Sequence, residues 1–190
     1  MGSRNKLLMR DASGRTMIGR VVHAVLASRA SEAVLVMGHE AAAVAQAARQ
    51  AAGSCGRLRF VHAPDFANGL SASLKCGVDA MSDVMGALVC LGDMPLVTGE
   101  MLDRLIDAFD PGSGRTIVVP TCQGVRGNPV LWGRHFHGAF RSLSGDRGAR
   151  GLLASNAASI VEVEIGDLAI LQDFDTPEAF GADWRDPSPP

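Results

Sequence analysis

Ala87–Val97 reads ALVCLGDMPLV. Ala87 to Leu91 is a short apolar run without a polar face, the pattern of a strand buried on both sides in a parallel sheet. Gly92 permits a tight exit from that strand, and Pro95 bars regular continuation. Asp93 is therefore set where the strand stops. In open α/β sheets this carboxyl edge is where ligands bind. An aspartate there can hold a hard cation such as Mg²⁺, together with water and substrate phosphates. The plain alternative is a carboxylate that caps the next turn.

Upstream and downstream, the pattern alternates between strand and helix. Thr16–Ser28 has helical spacing, Ala33–Met37 is a buried strand, and Glu40–Ala52 is an alanine-rich helix closed by Gly53. Arg57–Ala63 reads as a strand. In Pro64–Leu74, Asn68-Gly69 signals a turn, with Ser71 or Ser73 capping the helix that follows. Its free amides and hydroxyls could bind a phosphate, a ribose or a base edge. Thr98–Phe109 is a capped helix and Thr116–Thr121 a strand. Gly124–Trp132 is a glycine turn and a short apolar strand. Arg134–Leu143 and Gly148–Ala154 are helical, and Ser159–Ile165 alternates as a half-exposed strand. Asp173 and Asp175 share one side if the backbone there is extended, and Thr176-Pro177-Glu178 opens a helix.

The 190 residues fit one domain, residues 1–183, with a proline-rich mobile tail over 184–190. A net charge of -2 with no basic block gives no reason to expect a nucleic acid or an anionic membrane as partner. The apolar runs are too short to span a bilayer. No secretory pattern opens the chain, and the four cysteines form no CxxC pair. A reduced, cytoplasmic protein without zinc is the expectation. Near the start, Lys6 is a point charge suited to phosphate; composition alone would make it part of a solvated terminus.

Six ordered fragments carry a resemblance: Met1-Gly2 with Asn5-Lys6-Leu7-Leu8; Asn68–Leu74; Leu91–Val97; Arg126-Gly127-Asn128-Pro129; Gly145-Asp146-Arg147-Gly148-Ala149; and Asp173–Glu178. Together they resemble the nucleotidyltransferases that mature the molybdenum cofactor, most closely the molybdenum cofactor cytidylyltransferase group. The resemblance implies a Rossmann-like three-layer α/β sandwich of nucleotidyltransferase type, its sheet mostly parallel with one antiparallel strand. It implies transfer of CMP from CTP to the terminal phosphate of molybdopterin, with release of pyrophosphate. A molybdoenzyme or its chaperone would be the client. The family begins with a strand and a glycine-rich loop, LAAGxSxRMG, and this chain begins at the last two residues of that loop. Loss of the strand would leave two neighbouring strands with unpaired backbone groups. The expectation is a start site assigned too late; a fragment of a fusion and a shortened, inactive protein are the alternatives.

Carried onto this sequence, the resemblance implies that Lys6, Asp93 and Asp175 are catalytic, with Asp93 and Asp175 on Mg²⁺ and Asp173 supporting them. Gly2, Lys6, Asn68, Gly69, Ser71, Ser73 and Asp93 would bind the nucleotide. Asn128, Pro129, Asp146 and Asp173 would face the acceptor. The rival readings are a guanylyltransferase, a transferase acting on a sugar phosphate or other small phosphate, and a domain that binds without turnover.

Overall fold

The computed structural model describes residues 5–81, 83–145, 149–174 and 184–185. Helix α1 (Met17–Ala27) starts at Thr16, whose hydroxyl accepts the Gly19 N–H at 3.1 Å. That cap satisfies one of the amides the first turn leaves unpaired. Strand β1 (Ala33–Met37), helix α2 (Ala41–Ala52) and strand β2 (Leu58–His62) follow as one parallel unit. Next come α3 (Leu70–Ala80), β3 (Gly86–Val89) and α4 (Gly99–Ala108), the last capped by Thr98. The remainder is β4 (Ile117–Cys122), β5 (Val125–Arg126), β6 (Val130–Gly133), α5 (His137–Arg141), α6 (Arg150–Ser155) and β7 (Ile160–Glu164).

Strand β4 is the centre of the larger sheet. It pairs parallel with β7 on one edge and antiparallel with β6 on the other, and β6 in turn pairs antiparallel with β3. Strands β3, β4 and β7 therefore run one way, with β6 and the two-residue β5 reversed; the sheet is mixed, where one antiparallel strand was expected. All six residues of β4 and all four of β6 are buried.

Alternation sorts these side chains onto two faces. Ile117, Val119, Val130 and Trp132 meet Val78 of α3 and Phe136 and Phe140 near α5. Trp132 sits edge-on to both phenyl rings, with centroids 5.5 and 5.3 Å away. On the opposite face, Val118 and Leu131 pack with Leu105 of α4. Helices on both faces of the sheet make the three layers.

Strand β3 differs from its expected setting. Its strand neighbour is antiparallel, and only Ala87 is fully buried. The second edge explains the residual exposure. Among the described residues β3 pairs only with β6, and β1 only with β2, so each has one edge without a strand. Helices join the two sheets instead: α1 packs on α2 and α4, and α3 packs on β1, β2 and α5.

A further expectation is corrected. Gly69, at φ +98°, is the N-cap of α3, and neither Ser71 nor Ser73 caps it; Ser71 lies inside the first turn and is buried. Of the expected mobile tail, residues 184–185 are described, and Trp184 packs against the body of the fold. Its ring lies 5.7 Å from that of Phe174, and Arg185 exchanges backbone hydrogen bonds with Arg10 at 2.7 and 2.6 Å. Trp184, Phe174 and Leu7 surround the fully buried Met17. The helix expected from Thr176 lies outside the described residues.

Candidate active site

Three backbone segments converge where β1 and β3 end. Gly38-His39 leaves β1, Cys90–Asp93 leaves β3, and a 3-10 turn over Lys6–Leu8 lies against both. Asn5 begins that turn: its side-chain oxygen accepts the Leu7 N–H at 3.1 Å. Its amide nitrogen reaches the His39 carbonyl at 3.5 Å. The Leu7 side chain covers Gly92, where an added Cβ would lie 3.4 Å from Leu7 Cδ2.

The turn delivers Lys6 to Asp93. Lys6 Nζ donates to Asp93 Oδ2 at 2.7 Å, the length of a charge-assisted bond. Both side chains keep solvent access, 29% for Lys6 and 19% for Asp93. Behind the pair is an apolar crevice lined by Val21, Cys90, Leu91, Met94 and Pro129. Cys90 is half-buried as a residue, but burial of its thiol pushes the pKa up to about 12. Met94 and Val97 anchor the loop in a small cluster with Leu102 of α4.

A second segment fixes Asp93 from the far side. The Phe174 N–H donates to the Asp93 carbonyl at 3.1 Å. Phe174 is buried and Asp173 beside it is exposed, so the chain just beyond β7 passes directly against the Asp93 loop. A local pattern in the sequence hints at this contact. In Asp173-Phe174-Asp175 a lone apolar residue lies between two charges, which in extended chain turns the phenylalanine inward.

The other expected site residues are arranged as follows. Asn68 is exposed at the end of a 3-10 turn over Phe66–Asn68, and Gly69 and Ser73 are half-buried. Ser71 is 3% exposed and its N–H is taken by the Gly145 carbonyl, so its hydroxyl does not face solvent. Asn128 is half-buried, its N–H donating to the Ile170 carbonyl at 2.9 Å. The Asn128–Pro129 peptide is cis. Pro129 is fully buried and lines the apolar crevice. Gly2, Asp146 and Asp175 lie outside the described residues. Among the described residues, no group of three or more His, Cys, Asp or Glu is placed to hold a metal ion. No helix among them is long and apolar enough to cross a membrane.

A paired cation and carboxylate just past the carboxyl end of β3, in a mixed sheet covered by helices, mark an α/β domain of nucleotide-handling type. The chain matches the MobA-like NTP transferase domain over residues 1–160 and belongs to that family. It is 30% identical to the bifunctional protein GlmU of Sorangium cellulosum over 169 residues, 87% of this chain and 35% of that protein. The chain thus spans roughly a quarter to a third of the curated relatives it matches. Its fold is similar to that of Rv0371c from Mycobacterium tuberculosis in complex with manganese, with a TM-score of 0.73 and 24% identity, covering 94% of this chain and 90% of that one. It is also similar to a nucleotidyl transferase from Methanothermobacter thermautotroptrophicus, with a TM-score of 0.75 and 25% identity, covering 92% and 81%.

Proposed function

We propose that the chain transfers CMP from CTP to the terminal phosphate of molybdopterin, releasing pyrophosphate. The observation that carries nucleotidyl transfer is the Lys6–Asp93 pair, held at 2.7 Å where the ends of β1 and β3 converge. The choice of CTP and molybdopterin rests on the six ordered sequence fragments, read together with membership of the family.

The chemistry asks for positioning and charge neutralisation more than for proton transfer. The acceptor is a phosphate monoester whose second ionisation falls at about pH 6. Its oxygen therefore reaches the site already as a nucleophile. That oxygen bonds to the α-phosphorus, the bond to the bridging oxygen breaks, and the electron pair leaves with pyrophosphate. Lys6 stabilises the negative charge that grows on the departing group. Asn68 and the Gly69 turn bind the nucleoside, and Asn128 orients the acceptor. The donor chemistry at Asp93 fits Mg²⁺, which needs only one or two carboxylates when phosphates and water complete its shell. Asp93 would hold it with Asp175, and Asp173 would orient the set. Bound there, the ion would neutralise phosphate charge.

The test is pyrophosphate release by the purified protein with Mg²⁺, CTP and molybdopterin, run with and without competing GTP. CTP-dependent release that GTP does not suppress is expected. Asp93→Ala should lower turnover about a hundred- to a thousandfold with an unchanged circular dichroism spectrum. Full activity in that variant refutes the assignment of Asp93. Membership of the NTP transferase family also fits a second reading, transfer of a nucleotide to a different small phosphate. Release with CTP and a sugar phosphate, but not with molybdopterin, would select it.

A further inference from the structure

The end of β1 carries an aromatic ring that the reaction above leaves without a role. Phe66 lies across Gly38 so closely that a Cβ there would fall 2.5 Å from the ring carbon Cγ and 2.9 Å from Cδ2. Only glycine leaves room beneath the ring. A phenylalanine clamped this tightly would be buried if it served the core, yet Phe66 is 38% exposed. It is absent from the clusters that hold the sheets and helices together.

Its neighbours are those of a ligand site. One residue beyond Gly38 in the chain, the His39 carbonyl accepts from the Asn5 amide, and Lys6, next to Asn5, donates to Asp93. The carboxyl edge thus runs from an exposed aromatic surface, across bare backbone, to a charged pair. A nucleotide has the same polarity, with a flat base at one end and phosphates at the other. Exposed Asn68, two residues beyond Phe66, offers an amide that can both donate and accept at a base edge.

We propose that Phe66 is the platform on which the nucleobase stacks, backed by Gly38. The proposal rests on the nucleotidyl-transfer reading and adds to it the residue that grips the base. Every base has a π-face, so stacking supplies affinity while edge contacts such as Asn68 choose between bases.

The experiment is calorimetric binding of two ligands, CTP and inorganic tripolyphosphate, in the presence of Mg²⁺. The wild type is compared with Phe66→Ala, Phe66→Trp and Gly38→Ala. Phe66→Ala should weaken CTP roughly ten- to a hundredfold and leave tripolyphosphate unchanged, while Phe66→Trp retains CTP binding. Gly38→Ala, which pushes the ring from its seat, should copy the selective loss. Equal weakening of both ligands would mean a purely structural ring and overturn the platform. Unchanged CTP affinity in Phe66→Ala would overturn it too, leaving nucleotidyl transfer intact. A wild type that binds neither ligand refutes the transfer reading and the platform with it.

Discussion

Asp93 has an ammonium 2.7 Å from one of its oxygens, and a divalent cation would need that same carboxylate. On the proposed reading the lysine and the metal would compete until phosphates arrive to receive the lysine. Lys6→Ala should bind Mn²⁺ more tightly than wild type in the absence of nucleotide, as measured by equilibrium dialysis. The same variant should turn over about ten- to a hundredfold more slowly, because charge on the leaving group loses a partner. The cysteines divide just as clearly. Arg57, through its backbone N–H and then its guanidinium, holds the Cys55 thiol below its ordinary value, whereas burial raises that of Cys90. A thiol reagent at neutral pH should label Cys55 well before Cys90, a difference that mass spectrometry of the labelled peptides resolves. Asp93 was legible in the sequence because glycine and proline bracket it, and Lys6 because the resemblance singled it out. Phe66 was not, since its place over Gly38 is a contact across 28 residues with no local pattern.

At the level of the elements, most helix and strand positions were legible from periodicity and caps; strand neighbours were not, because pairing is decided between distant segments. Strand β3 looked like a parallel core strand, yet it is the antiparallel β6, distant in the chain, that lies against it. Thr16 is a buried N-cap where the sequence pattern only set the start of a helix, and Thr16→Ala should cost about 1 kcal/mol in urea unfolding. Gly127 is a different case. A Cβ there would run into the Ile170 carbonyl, which is backbone and cannot step aside. Gly127→Ala should therefore cost about 1–3 kcal/mol in the same measurement. Glu164 ties β7 to the turn after β4. The Thr121 hydroxyl at 2.8 Å, and then the Gln123 N–H at 3.0 Å, hold its carboxyl below the ordinary value of 4.5. Because the folded pKa is depressed, the stabilisation is complete above the unfolded value and lost as pH falls through the folded one. Melting temperature should thus drop on acidification below pH 4.5, and Glu164→Gln should flatten that part of the curve.

At the scale of the molecule, the two sheets among the described residues are joined through helices rather than by hydrogen bonds between β1 and β3. Amides of β4, buried and paired on both edges, should exchange slowest with deuterium, and those of β1 and β2 should open earlier as a unit. Peptide-level mass spectrometry distinguishes this from uniform protection. The long reach of Phe174 has a consequence for how the protein is made. A ribosome can finish every strand of both sheets and still have no bond on the Asp93 carbonyl, because that donor is not synthesised until residue 174. A polypeptide abandoned on the way between β7 and that point would have its layers but not the brace behind its acidic centre. With Asp93 in its proposed role, competence for turnover would arrive only after β7, and nascent chains that stall before residue 174 would stay chemically silent.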